Sequence, residues 1–533
     1  MSVETDPAQH AAPDGLISRS HLGIEPFALY RPDSLADAAS MIAAGAWAHA
    51  GGIDVAQRLR NGEAAPALVP LCKPGRNSPS GLEVLDEISL RDGVLFIGAA
   101  VTHARIETDR LVRTVRPDLA DAWRTIGNAR IRSTGTLGGN LMAFDSGYDA
   151  APILAAAGAE LIFMEPDGSE RRCAVADRPH DRLLVGCEVP LAGHVVYERS
   201  LKPVASVAVG DNHIAIGCAY REVEVLPNGA ADAAAASALL GALPDPTDDV
   251  FASTAYRRRV IDVLVSRCLE LHAAGAMNDG GLGSDGAYPP DASRREAVAS
   301  TGHPPESLSD DSEPQRIGGD ARQPRRPGLC AEMPPQTAKL RKEGVTATFR
   351  DVTYPRGLSV DIELRLNGEP FSASTPASEM LVDTIGSRAG LGGTRVGCDQ
   401  AVCGACTVLV DGEPTASCST FAWQSDGRDV LTIESGHMAA AGGLSAGPAA
   451  ALPEVQRAFA EFSAFQCGYC TPGLILTASA LLARHRDPDR TTICDWLDSN
   501  VCRCTGYLMV IEAVEAASAA LRSPSSPMQD GAP

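Results

Sequence analysis

The chain has 533 residues, of which 44% are apolar and 21% charged, and a formal charge of −21; it is too long for one hydrophobic core and has the balance of a globular protein of roughly two to four domains. The negative charge repels nucleic acid and anionic membrane, no run approaches the roughly eighteen apolar residues of a membrane span, and residues 1–15 are polar and acidic, unlike a secretory signal. Small molecules and proteins are the expected partners, with no nucleic acid, no membrane span and a cytoplasmic location.

Residues 1–24 are expected to be disordered. From residue 25 to about 271 helical and strand-like patterns alternate, which predicts an α/β domain. Leu35, Ala38, Ala39 and Ile42 recur at helical spacing after Pro32-Asp33-Ser34, Gly51-Gly52 marks a turn, and residues 93–101 read as a buried strand. Between about 272 and 335 the composition turns to Gly, Pro, Ser, Asp and Arg without apolar periodicity, which predicts a flexible linker between two units that could each fold alone. Val360, Ile362, Leu364 and Leu366 then alternate with polar residues up to Asn367-Gly368, a hairpin signal. From about Pro453 the period is helical, through Val455, Phe459, Phe462, Leu474, Ala478, Leu481 and Leu482. A polar tail at 523–533 is expected to be disordered.

Fifteen cysteines in a reducing compartment point to metal or redox chemistry before disulfides. Cys72, Cys173, Cys187, Cys218, Cys268 and Cys330 stand singly and are expected to be packing residues. Cys398, Cys403, Cys406 and Cys418 have the spacing C-x4-C-x2-C-x11-C, and the first three match the plant-type 2Fe-2S arrangement. Zinc is the alternative, but x4 followed by x2 crowds a third cysteine onto one knuckle. Backbone N–H groups of a tight loop containing Gly397, Gly404 and Ala405 can serve the sulfur atoms. The second set, Cys467 and Cys470 followed after thirty-one residues by Cys502 and Cys504, could hold zinc if read alone. Its place after a ferredoxin-like loop favours iron and sulfur. So does Thr471-Pro472, which reads as N-cap and first helical residue and would set Cys470 beside the positive end of a helix dipole.

The stretches G-G-T-R-V-G-C-D-Q-A-V-C-G-A-C-T-V-L-V-D-G, Q-C-G-Y-C-T-P-G and C-R-C-T-G-Y closely resemble the iron-sulfur subunit of the molybdenum hydroxylases, the family of xanthine dehydrogenase, aldehyde oxidoreductase and aerobic carbon monoxide dehydrogenase. The wording nearest the cysteines, with S-C-S-T-F-A-W-Q, is closest to the carbon monoxide dehydrogenase branch. Ala401 stands where many relatives have Gly.

No G-x-G-x-x-G or P-loop motif supports a Rossmann nucleotide site. Two glycine loops remain: Ala50-Gly51-Gly52-Ile53-Asp54, after a helix and a short strand, and Ser133-Thr134-Gly135-Thr136-Leu137-Gly138-Gly139-Asn140. Glycines let backbone amides approach a pyrophosphate, though either loop alone reads more readily as an ordinary turn. Together with I-G-A-A-V-T-H, which ends at Thr102 and His103, they resemble, in order, the FAD-binding subunit of the same family. Ile53 replaces that family's usual Thr. The resemblance also implies a flavin contact at Asp149.

What the resemblance implies is a multidomain α+β chain. A PCMH-type α/β FAD-binding domain would span 25–190 and its C-terminal lobe 191–271; a linker, 272–357, would lead to a β-grasp ferredoxin-like domain at 358–436 and a helical-bundle 2Fe-2S domain at 449–522. The cofactors would be FAD and two 2Fe-2S clusters. Electrons would pass from molybdenum through the Cys467/Cys470/Cys502/Cys504 cluster, then the Cys398/Cys403/Cys406/Cys418 cluster, to FAD and a small-molecule acceptor. The molybdopterin subunit, with the substrate site, is expected on a separate large chain, in a dimer of heterodimers. A stand-alone flavin-dependent reductase and a non-catalytic redox or assembly protein are the alternatives.

Overall fold

A computed structural model describes residues 24–71, 82–200, 204–228, 239–278, 353–354, 359–436 and 447–522. In the first lobe, β1 (Ala28–Tyr30), α1 (Leu35–Ala43), β2 (Trp47–His49), α2 (Ile53–Arg60) and β3 (Ala67–Pro70) alternate. The three strands run parallel in the order β1-β3-β2. Ser34 caps α1, accepting from the Asp37 N–H, and Ala38 and Ala39 are buried as their spacing predicts.

The second lobe is an antiparallel sheet of β4 (Ile88–Arg91), β5 (Val94–Gly98), β6 (Glu160–Met164), β7 (Glu170–Ala174) and β8 (Leu183–Pro190), ordered β4-β5-β8-β6-β7. The expected strand at 93–101 ends at Gly98, where a β-carbon would lie 2.4 Å from the Leu85 carbonyl oxygen; beyond that close approach the chain leaves the sheet. Between β5 and β6 come α3 (His103–Thr108), α4 (Arg110–Val115), α5 (Pro117–Arg124), α6 (Ala129–Thr134), α7 (Leu137–Met142) and α8 (Ala150–Ala156). Phe96, Trp123, Leu137, Ile153 and Phe163 share the core between helices and sheet.

A meander of β9 (Val195–Arg199), β10 (Ser206–Gly210), β11 (His213–Gly217) and β12 (Glu224–Pro227) packs on α9 (Thr254–Asn278). The α9 helix carries the chain seven residues past 271, and β13 (Thr353–Tyr354) pairs with β1; both ends of the expected linker are thus taken up by regular structure. Cys187, Cys218 and Cys268 are buried packing residues and Cys173 is half-buried; Cys72 and Cys330 lie outside the described residues, as do the expected disordered ends and most of the linker.

In the C-terminal third, β14 (Ser359–Leu366) and β15 (Glu369–Pro376) form the expected hairpin: Leu366 pairs with Glu369, and both Asn367 and Gly368 have the positive φ of a two-residue turn. With β16 (Thr407–Val410), β17 (Glu413–Ala416) and β18 (Asp429–Leu431) the sheet order is β15-β14-β18-β16-β17. Four helices follow, α10 (Pro448–Glu461), α11 (Thr471–Arg484), α12 (Arg490–Leu497) and α13 (Leu508–Arg522). The α10 helix begins at Pro448, not near Pro453, because Pro448 occupies the first turn, where its missing N–H costs nothing.

The two halves do not keep separate cores. Phe27, Leu29, Ala56, Leu59 and Leu68 of the first lobe belong to one apolar cluster with Val360, Ile362, Val408, Phe421 and Trp423, and Ala129 packs into the core of the four helices. The linker joins units that bury surface against each other.

Candidate cofactor sites and the junction between them

The loop from Cys398 to Cys406 coils tightly through three left-handed residues, Asp399, Ala401 and Gly404. That coiling turns backbone N–H groups inward. Cys398 Sγ accepts from the N–H groups of Gln400 (3.3 Å), Val402 (3.4 Å) and Cys403 (3.2 Å), and Cys403 Sγ accepts from the Cys398 N–H (3.3 Å). Cys398 and Cys403 share a hydrogen bond, as do Cys406 and Cys418. The bond to Cys403 and the surrounding amides hold the Cys398 thiol down at about 5, and the bond to Cys406 holds Cys418 at about 7. Their partners, Cys403 and Cys406, are pushed up by the same shared proton and by burial.

The second set is also paired. Cys467 and Cys504 stand 3.7 Å apart and both are exposed. Cys470 bonds Cys502, and burial and that bond push the Cys470 thiol up to about 12. Burial raises Cys502 too, but the hydroxyl and N–H of Thr505, the Cys504 N–H and the Cys470 thiol outweigh it and lower its pKa. Cys470 is itself the N-cap of α11, with Thr471 as first helical residue and Pro472 in the first turn. This moves the expected start by one residue, since Pro is tolerated anywhere in the turn whose N–H groups lack partners, and brings the thiol closer to the positive helix end.

Among the described residues no three potential ligands close round a single point; the thiols stand in twos. Two pairs of thiols are the donor set of a 2Fe-2S cluster, since each iron takes two thiolates and two bridging sulfides. With the inward N–H groups, the donor sets fit the clusters.

The two sets are latched together. The Val501 N–H donates to the Cys403 carbonyl (2.8 Å), Asn500 Nδ2 to the Gly404 carbonyl (2.9 Å), and the Tyr469 hydroxyl to the Val396 carbonyl (2.6 Å). Asn500 is buried and also accepts from Thr477. Gly404 has no room for a side chain: a β-carbon would lie 2.3 Å from Arg130 Nη1 and 2.5 Å from Asn500 Nδ2.

In the N-terminal half the three motifs converge. A β-carbon on Gly51 would lie 2.1 Å from the Thr134 carbonyl oxygen, so the first motif abuts the second. Thr102 and Thr136 form an isolated bridge, and the N–H groups of His103, Leu137 and Gly138 donate to Gly135, Val101 and Ala99. Three backbones approach closely there, with Gly51, Gly135 and Gly138 at contacts that leave no room for a side chain, and the N–H groups of His103, Leu137 and Gly138 are taken up by the chain's own carbonyls. The segment 133–140 is not the expected loop. Ser133 and Thr134 close α6, and Leu137 to Asn140 begin α7, because Thr136 caps α7 by accepting from the Gly139 N–H. Asn140 accepts from the Ala150 N–H (3.0 Å) and Thr102 from the Arg105 N–H (3.3 Å). Ala50 and Gly52 lie in the turn before α2, with Gly52 left-handed as its N-cap, and Ile53 and Asp54 begin the helix; burial raises the Asp54 carboxyl above its ordinary range. Asp149 is buried, bonded to the Tyr197 hydroxyl and to Arg199 (2.7 Å).

Sequence reasoning missed the residues that join these sites. Arg60, at the end of α2, donates to Ser419 Oγ (3.1 Å) and to the Cys418 carbonyl. Arg130 donates to the carbonyls of Ala401 (2.8 Å) and Val402 (2.9 Å) and to Thr407 Oγ1 (3.2 Å). His49, beneath Gly52, packs on Phe421 and Trp423, with ring centres 5.7 and 4.9 Å away. No periodicity or spacing links these positions; only the buried Arg and His inside apolar surroundings hint at a role.

Residues 25–183 match the family model described as the FAD binding domain in molybdopterin dehydrogenase. Residues 364–432 match the 2Fe-2S iron-sulfur cluster binding domain, and 441–515 the 2Fe-2S binding domain. The chain is 39% identical to the nicotine 6-hydroxylase small subunit of Paenarthrobacter nicotinovorans over 29% of its own length and 87% of that protein. It is 40% identical to the xanthine dehydrogenase iron-sulfur-binding subunit of Escherichia coli O157:H7 over 29% and 92%. Among solved structures it is similar to the reconstituted CO dehydrogenase from Oligotropha carboxidovorans, with 22% identity, 46% of this chain and 98% of that one covered, and a TM-score of 0.42.

Proposed function

We infer, from the premise that this chain belongs to the molybdenum hydroxylase family and joins its FAD-binding module to its 2Fe-2S subunit, which residues carry its role as an electron-transfer subunit. Cys398, Cys403, Cys406 and Cys418 hold one cluster and Cys467, Cys470, Cys502 and Cys504 the other; residues 50–54 and 134–140, with Thr102 and Asp149, seat FAD. When bound, the clusters each accept one electron and FAD two, which lets the chain carry electrons from molybdenum to an external acceptor.

The chain's own residues order that traffic. Cys467 and Cys504 are exposed, and the large apolar side chains Phe465, Tyr469, Leu508 and Met509, close to them in sequence, are exposed as well. This surface suits a large molybdopterin subunit on a separate chain. Val501 and Asn500 hold the second cysteine set against the first, and Arg60 and Arg130 hold the first against the flavin module. The single observation that carries the reading is the arrangement of eight cysteines as two sets of two pairs, bridged by one backbone hydrogen bond.

The finer reading is a PCMH-type flavin domain at 25–190 with a lobe at 191–271, a β-grasp domain at 358–436 and a helical bundle at 449–522. It places the complex in the xanthine or carbon monoxide dehydrogenase type, cytoplasmic and a dimer of heterodimers. Iron, acid-labile sulfide and flavin in anaerobically purified protein test it: about four irons, four sulfides and one FAD per chain are expected from two such clusters, and zinc in place of iron would overturn it.

A further inference from the structure

Arg130 is 1% exposed. Its three hydrogen-bond partners, the Ala401 and Val402 carbonyls and the Thr407 hydroxyl, are neutral, and its buried Nε has none among the described residues. A guanidinium taken out of water and held only by neutral groups is costly unless an anion lies close. Arg60, whose side chain is 3% exposed, donates to Ser419 and the Cys418 carbonyl and faces the Asp399 carboxylate at 3.8 Å. Both arginines come from the N-terminal half, on α6 and α2, and both end on the backbone that carries the first cysteine set. Arg60 has that carboxylate; for Arg130 the anion the placement anticipates is the cluster: two ferric ions, two sulfides and four thiolates sum to a dianion, and one electron makes it a trianion with no proton taken up.

We propose that Arg60 and Arg130 are positioning residues that raise the reduction potential of the Cys398/Cys403/Cys406/Cys418 cluster, so that docking of the flavin module sets the driving force for electrons reaching it. This rests on the assignment of that cluster above. A fixed cation favours the more negative, reduced form, and burial prevents solvent from screening it. The α2 helix is capped by Gly52 and ends at Arg60, so an element about 12 Å long runs from the flavin motif to the cluster loop.

The test is a redox titration of the full chain followed by electron paramagnetic resonance, with the Cys467/Cys470/Cys502/Cys504 cluster as internal reference. Arg130→Met should shift the reduced-to-oxidised ratio of the first cluster at least about tenfold towards oxidised, a fall of 59 mV for one electron, and leave the second in place. Arg130→Lys keeps the charge and should restore most of the shift. Should Arg130→Met fail to fold, Arg60→Met and Arg130→Lys carry the comparison. An unmoved first cluster in Arg60→Met and in every Arg130 variant that folds, or equal shifts in both clusters, would overturn the proposal. If the wild-type chain shows no pair of 2Fe-2S signals, the cluster assignment itself has failed, a result distinct from unshifted potentials.

Discussion

The backbone N–H of Val501 donates to the carbonyl of Cys403 at 2.8 Å, so one hydrogen bond separates a residue of the first cysteine set from the neighbour of Cys502 in the second. Asn500, beside it, secures the contact by bonding both Gly404 and Thr477. Asn500→Ala leaves the buried Thr477 hydroxyl without its acceptor and should cost about 1–3 kcal/mol. It should also slow electron exchange between the clusters while both remain loaded. Denaturant unfolding and rapid-mixing reduction check the two effects, and an unchanged midpoint with an unchanged rate would show that the latch is idle.

Cys470→Ser replaces one thiol at the start of α11 and leaves the first set and the flavin motifs untouched. Substrate-to-acceptor turnover of the complex should fall by more than about 100-fold, a scale that even outer-shell changes at metal sites reach, with FAD still bound. Wild-type turnover in the variant would sink the assigned electron route.

Gly404 is left-handed at φ +74 and pressed by Arg130, Asn500 and the Ser499 carbonyl. Gly404→Ala combines backbone strain with overpacking and should cost about 2–5 kcal/mol. Loss of iron from the first set, seen by chemical analysis, is the expected companion.

Gly51→Ala drives a methyl group into the Thr134 carbonyl, 2.1 Å from the ideal β-carbon position. The two flavin motifs must then part, and flavin should be released during purification while iron and sulfide stay at wild-type levels. Full flavin retention would remove Gly51 from the binding cradle.

Burial lowers the imidazole of His49 from 6.5 to about 4, and burial with the nearby Arg132 lowers His103 to about 3. The unfolded chain therefore binds protons below pH 6.5 that the folded chain does not yet take. The stability due to the neutral rings is complete above pH 6.5 and is lost as pH falls towards 4 and 3. Each ring contributes about 1.4 kcal/mol per pH unit in that window. His49→Phe keeps an aromatic ring against Phe421 and Trp423 and should flatten about half of the slope. Urea midpoints at pH 7.5 and 5.5 measure it; an unaltered slope would place the acid sensitivity elsewhere.

Sequence by itself determined the parts whose cause is local. Cys398, Cys403 and Cys406 are brought together within one short, tightly coiled loop, and Asn367-Gly368 dictates its own turn because both residues tolerate positive φ. Ser34 and the alanines after it specify α1 for the same reason: the cap and the buried face lie within one stretch of chain. Local signals erred where two readings differ by a single residue or turn. Pro453 passed for a helix start because Pro448, five residues earlier, is the true one, and Thr134 to Asn140 passed for a loop because two six-residue helices flank Gly135 too closely to show a period.

Only the tertiary structure decided how the sites are joined. Arg130 and Ala401 are 271 positions apart, Arg60 and Cys418 358, and no pattern along the chain relates them. Their meeting follows from burying the apolar face of the first lobe against β14, β16 and the Phe421–Trp423 segment in one core. Burial of that shared apolar surface is favourable, but each polar group caught inside it costs free energy unless partnered: His49, whose ring nitrogens have no hydrogen-bond partner among the described residues, is held neutral, and the arginines depend on what the other half presents there. In this chain it presents the cysteine loop.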